Sequence, residues 1–178
     1  MFKHPKESQI TITQLMLPSN SNFSGKIHGG YILNLMDQIA FACASKHSRH
    51  YCVTASVNKV DFLNPIDVGE LLTLKASINY TGRTSMVVGV RVESENIQTG
   101  EKKHCNSSYF TMVAKDENGK NVTVPGIILD TEQSVRRFAR SIRRQEQSRT
   151  RSNTFKPSEF KIEDHLEFVK TQNAQVDL

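Results

Sequence analysis

The sequence predicts an α+β fold: an antiparallel β-sheet wrapped around one central α-helix, followed by a further, C-terminal helix. Three observations carry this. Tyr31 to Ser48 is apolar with helical period, the chain from Val53 to Ala114 runs in period-two segments, and Leu129 to Glu146 is amphipathic and rich in arginine. A chain of 178 residues holds one ordinary domain of ~150 residues and an appendage. Its 37% hydrophobic and 23% charged residues can fill a core. The boundaries are 8–128 for the sheet with its helix, 129–146 for the basic helix and 147–178 for a tail.

Ser8 to Leu17, rich in Ile, Thr and Leu, reads as a strand stopped by Pro18. A polar loop, Ser19 to Gly30, delivers the chain into the helix. There Ile32, Leu33, Leu35, Met36, Ile39, Ala40, Cys43 and Ala44 spread over most of the circumference, which suits a helix buried against a sheet. Strands follow at Val53–Phe62, Glu70–Tyr80, Ser85–Asn96 and Lys102–Ala114, separated by Asn64-Pro65, Thr81-Gly82-Arg83-Thr84 and Thr99-Gly100, and Asp116–Lys120 ends the last. Four successive strands with short connections make an antiparallel sheet, and the early helix is the internal element able to cover its apolar face. In Leu129–Glu146, Val135, Phe138 and Ile142 fall at i, i+3 and i+7 while Arg136, Arg137, Arg140, Arg143 and Arg144 take the other faces. In the tail, Ile162, Leu166 and Val169 allow a short helix near 158–170.

Several function classes are excluded by what the chain lacks. No apolar run reaches the ~18 residues of a membrane span, and Met1 to Ser8 has no signal-peptide core, so no membrane partner is expected. Cys43, Cys52 and Cys105 are odd in number and form no C-x-x-C pair, which fits a reducing, cytoplasmic setting. The triplets at Asn106 and Asn121 are then chance matches to a glycosylation pattern. His47, His50 and Cys52 could suggest zinc, but a fourth ligand is missing and no metal is expected. The net charge of +5 lies upstream of a neutral tail and is concentrated in the basic helix. That helix is either a solvated face or a site for phosphate. No nucleic-acid motif accompanies it, so nucleic acid is not expected as a partner, and a phosphorylated small molecule accounts for a local patch equally well. No Walker A loop, dinucleotide fingerprint or G-x-S-x-G elbow is present.

Asp37 is the only charged side chain between Tyr31 and Ser45. It lies either on a narrow wet stripe with Asn34, Gln38 and Ser45 or in a functional cavity. His28-Gly29-Gly30 opens the helix, where unpaired N–H groups and the positive dipole end are offered to an oxyanion; a glycine pair there is also ordinary turn chemistry. Asn22 alone reads as a turn residue and His28 alone as a capping or packing histidine.

Taken together, N-F-S-G-K-I-H-G-G followed by the helix carrying Asp37 resembles the active-site signature of hotdog-fold acyl-CoA thioesterases. C-V-T-A-S-V, F-L-N-P-I-D-V-G-E-L-L, Y-T-G-R-T-S-M-V-V-G-V and S-E-N-I-Q-T-G-E-K-K are similar to the cytosolic brain-type acyl-CoA hydrolases and their bacterial relatives, and the resemblance spans about Gln9 to Arg144. It implies hydrolysis of acyl-CoA to a fatty acid and coenzyme A without a cofactor. Asp37 would be general base or nucleophile, Gly29 or Gly30 the oxyanion donor, and Asn22 the residue that orients water or carbonyl. Thr54, or Ser56 two residues on, would supply a supporting hydroxyl. Arg83 with Thr84 and Ser85 would meet the nucleotide, with the basic helix as a second source of charge and His28 beside the substrate. The other reading on the same fold is a non-catalytic acyl-CoA sensor, which would need the groove but not the base.

Eight residues separate Gly29 from Asp37, about 12 Å along one helix and too far to act on one carbonyl. The site should therefore combine two subunits, Asp37 of one meeting Asn22 and the glycine amides of the other. The resemblance implies the same homodimer, commonly assembled as a hexamer of three dimers.

Overall fold

The computed structural model describes residues 1–154, 158 and 160–177. Residues 1–141 form one compact unit and 142–178 another. In the first unit the strands are β1 (Phe2–Lys3), β2 (Ile10–Leu15), β3 (Tyr51–Val57), β4 (Leu71–Thr81), β5 (Ser85–Glu95), β6 (Lys102–Lys115) and β7 (Gly126–Ile127), with helix α1 at Gly29–Ser48. Helix α2 (Glu132–Thr154) starts in this unit, and its residues from 142 onward belong to the second. The second unit also holds α3 (Glu163–Lys170). Of the tail helix expected near 158–170, the described helical residues are 163–170, and residues 157 and 159 lie outside the description.

β2, β4, β5, β6 and β3 form one antiparallel sheet in that order, and α1 packs against all five strands. The inner face is built by strict alternation. Leu72, Leu74, Ala76 and Ile78 of β4 and Met86, Val88, Val90 and Val92 of β5 are all buried, as the period-two pattern requires. They meet Ile32, Leu35, Met36, Ile39, Ala40 and Cys43 of α1 in one core. Each fully buried Ile, Leu or Met contributes about 1.5–3 kcal/mol of burial free energy, so the helix is held by its sides rather than by its propensity. Its ends are capped: His28 Nδ1 accepts from Gly30 N–H, and Arg49, in the left-handed region at φ 63°, donates its N–H to Ser45 O.

Two expectations need correction. The strand read as Val53–Phe62 ends at Val57, because the chain leaves the sheet there. It also does not pair with the next strand: β3 lies beside β6, and β4 lies between β2 and β5. Residues 58–70 cross from the β6 edge to the far side of β5, so the connection is long. Alternation records which face a side chain takes, but it carries no information about which strand is the neighbour.

Candidate active site

Asp37 is half-buried on α1, and the Thr54 hydroxyl of β3 donates to its Oδ1 at 2.6 Å. Thr54 also touches Met112 Sδ at 3.5 Å, so the carboxylate meets a hydroxyl against an apolar wall. Strand register fixes this encounter. Met86, Met112 and Thr54 form one row across β5, β6 and β3, all on the face turned to α1. Ser56, the alternative hydroxyl, does not share that face. The β3–β6 ladder shifts register between Thr54 and Ser56, pairing Ser56 with Thr111 rather than with the next inward residue. The extra residue, Ala55, breaks the alternation that would have put both hydroxyls on one side.

The loop before α1 is tightly built. Asn22 Oδ1 accepts from Ser24 N–H (3.0 Å), Ser24 Oγ (2.8 Å) and Lys26 N–H (3.1 Å). Two backbone donors on that oxygen fix the orientation of the amide, so the group left over to face a substrate is the NH₂ donor. His28 Nδ1 takes up the N–H of Gly30 at 3.0 Å. Of the two glycine amides expected as oxyanion donors, Gly30 is thus engaged within its own chain. Gly29 N–H has no hydrogen bond recorded among the described residues.

An ion cluster anchors this loop. Lys26 pairs with Asp67, Lys103 approaches Asp67 at 3.5 Å and Glu70 at 2.9 Å, and Ile27 N–H donates to Ile66 O. The hydrogen bond from Lys26 holds the Asp67 carboxyl below its ordinary range. Burial works against the charge on Lys103, yet Glu70 and Asp67 outweigh it and raise its pKa. Sequence reasoning missed these residues, since nothing in the pattern pairs Lys26 with an aspartate 41 positions away.

Arg83 is exposed in the β4–β5 turn, with Thr84 and Ser85 half-buried beside it. Thr84 O accepts from Ala114 N–H, and Arg83 O accepts from Val124 N–H. Ser85 directly precedes Met86 in the row that contains Thr54, so this turn stands at the Asp37 end of the sheet. On α2, Phe138 packs against Tyr80 with ring centroids 5.0 Å apart, whereas Val135 remains half exposed. His47, His50 and Cys52 do not converge. His47 Nδ1 is bonded to Ser8 Oγ (3.0 Å) and its Nε2 to Pro125 O (3.1 Å), while Cys52 faces Ser48. Burial pushes the Cys43 thiol up to about 12, leaving it unreactive in the core. A cleft of about 330 Å³ lined by Lys6, Gln9, Ser77, Thr131 and Arg137 contains none of the predicted site residues.

The architecture of a sheet curled around α1, with a carboxylate and hydroxyl at one point and a glycine-rich helix start at another, is that of the hotdog fold. The thioesterase superfamily model matches residues 24–101. The chain is 34% identical to the "uncharacterized acyl-CoA thioester hydrolase YkhA" of Bacillus subtilis, over 82% of this chain and 85% of that protein. Among solved structures, an apo-hexameric acyl-CoA thioesterase superposes with a TM-score of 0.84 at 39% identity, covering 86% of this chain and 99% of that one. The acyl-CoA hydrolase of Staphylococcus aureus, solved in complex with butyryl-CoA and CoA, superposes with a TM-score of 0.80 at 28% identity, covering 96% and 99%. Alanine variants of that enzyme at an asparagine, an aspartate and a threonine have also been solved, at positions successively 15 and 17 residues apart. The chain belongs to the thioesterase superfamily.

Proposed function

We propose that this protein is an acyl-CoA thioester hydrolase, releasing a fatty acid and coenzyme A at a site shared by two copies of the chain. The observation that carries the reading is the Asp37–Thr54 hydrogen bond: a carboxylate placed in an otherwise apolar helix and oriented by a hydroxyl. Asn22, Asp37 and Thr54 are separated by 15 and 17 residues, the same intervals as the three positions replaced in the S. aureus enzyme. A sensor has no use for such a base, and nothing favours that alternative.

Asp37 removes a proton from water as it attacks the thioester carbonyl, or attacks the carbonyl itself to form an anhydride that water then opens. The negative charge that develops on the carbonyl oxygen is received by the Gly29 N–H at the positive end of α1 from the partner chain, with the Asn22 NH₂ as a second donor. Collapse of the tetrahedral intermediate expels the CoA thiolate, which takes up a proton. Arg83, Thr84 and Ser85 contact the phosphates of CoA. No cofactor takes part.

Pairing is supported by the sheet edge. β3 is a free edge, it carries Thr54, and Thr54 to Val57 are all exposed in succession. Apart from its bulge, β3 has neither proline nor charge to keep another strand away. A second copy of β3 laid along it would place Asp37 at the interface, within reach of the neighbour's loop. Assembly as a trimer of dimers agrees with the hexameric relative, and the unpaired cysteines agree with a cytoplasmic setting.

The direct test is Asp37→Asn and Asp37→Ala. Each should lower turnover by ~10²–10⁴-fold, the usual worth of general-base catalysis, while the oligomer elutes unchanged. Near wild-type turnover would remove Asp37 from the mechanism.

A further inference from the structure

Phe62 stands outside every role given above, yet it lies against the proposed oxyanion donor. Its segment leaves β3 after Val57 and stays fixed to β6. Asn58 N–H donates to Tyr109 O (2.9 Å), Leu63 N–H to Cys105 O (2.9 Å) and Asn64 Nδ2 to His104 O (2.9 Å). The backbone is held at both ends while Phe62 remains 52% exposed, an apolar residue that gains from being covered.

The ring reaches the start of α1. A Cβ built on Gly29 would lie 3.2 Å from Phe62 Cζ and 3.6 Å from Cε1 and Cε2. Gly29 is not among the glycines with positive φ, so its backbone would accept a side chain, and a Cβ there would press on the ring, which would have to give by a few tenths of an ångström. A flat, half-open aromatic surface therefore flanks the Gly29 N–H.

We infer that Phe62 is a specificity-determining residue that packs against the acyl chain beside the thioester carbonyl and discriminates against branching at the α-carbon. This rests on the proposed hydrolysis, in which Asp37 activates the attack on a carbonyl whose oxygen the Gly29 N–H receives. With the carbonyl oxygen about 3 Å from that N–H, the α-carbon and the thioester sulfur are each one bond from the carbonyl carbon, and in this proposal the α-carbon takes the side that the ring flanks. A straight chain can run along the ring face; an α-methyl group must occupy the space the ring fills. The same ring keeps water off the carbonyl on that side.

The test compares kcat/KM for butyryl-CoA and isobutyryl-CoA, read by release of the CoA thiol, in wild type, Phe62→Leu, Phe62→Ala and Asp37→Asn. The isobutyryl-to-butyryl ratio should rise roughly 10-fold or more in Phe62→Ala, in line with the worth of one methyl group in an apolar contact, with Phe62→Leu between. An unchanged ratio in both variants, however the absolute rates move, overturns the inference. Persistent activity in Asp37→Asn overturns the underlying reading instead. The contact has its own readout in thermal midpoints. Gly29→Ala should cost more in the wild-type background than in Phe62→Ala, and equal losses would show that ring and glycine are not coupled.

Discussion

Mixing an Asn22→Ala chain with an Asp37→Ala chain distinguishes a site shared between copies from one confined to a single chain. Within one chain the two halves are far apart: eight residues of α1 at ~1.5 Å rise separate Gly29 from Asp37 by about 12 Å. Asn22 spends its side-chain oxygen on its own turn, and Asp37 is bonded to Thr54. If the neighbour completes each site, a mixed dimer has one site with both residues intact and one with both replaced. Free exchange of equal amounts gives roughly half mixed dimers, each with half its sites working, so activity per chain should return to about a quarter of wild type. Dimers isolated through two different tags should reach about half. Each parent alone should stay down ~10²-fold or more, so a recovery of this size lies far above background. The assay is continuous release of the CoA thiol, with mass spectrometry of the native species to verify the mixed dimers. Verified mixed dimers no more active than their parents would refute the shared site.

Two further perturbations probe the chemistry and the fold separately. Thr54→Val removes the hydroxyl that donates to Asp37; loss of a hydrogen bond to a charged group, about 1.5–3 kcal/mol, should lower kcat ~10- to 100-fold, and Thr54→Ser should restore most of it. Full kcat in Thr54→Val would count against the pair. His47 is lowered below its ordinary pKa by burial, with the Pro125 carbonyl opposing and Lys3 assisting. The unfolded chain then binds a proton there before the folded chain does, so this contribution to stability is complete above pH ~6.5 and is lost as the pH falls through the lowered folded value. The midpoint should drop between pH 7.5 and pH 5.5 more steeply in wild type than in His47→Gln, and parallel slopes would refute the assignment.

Which parts of this molecule were legible in its sequence follows from what a local pattern can encode. The burial of α1 was legible because Ile32, Leu35, Met36, Ile39 and Cys43 recur at i, i+3, i+4, i+7 and i+11, one continuous apolar face for the sheet to cover. Asp37 stood out against that background as a charge with no local compensation, and the structure supplies its partner, Thr54. The choice between Thr54 and Ser56 was not legible, because period two places them together and the register shift that parts them is a relation between two strands. The same holds for β3 and β4, consecutive in sequence and yet separated in the sheet by β5 and β6.

The loop shows the same limit from another side. Asn22 reads as a turn residue and as a site residue: its oxygen closes the turn to Ser24 and Lys26, and its amide hydrogens are the part a ligand could meet. Glycine at 29 reads as turn chemistry, but the φ values show no left-handed residue there, and a side chain would press on the neighbouring Phe62 ring. The loop is held in place by Asp67 and Lys103, from opposite parts of the chain, which no window of sequence joins. A signal for the missing half of the site was nevertheless present in Tyr51–Val57, a strand without charge or proline that ends up at a sheet edge. Such an edge is costly to leave bare, and Thr54, the residue that orients the base, lies on it. If a second copy covers that edge, pairing and the placement of the chemistry have one cause: Asp37 is held from the strand that lacks a neighbour.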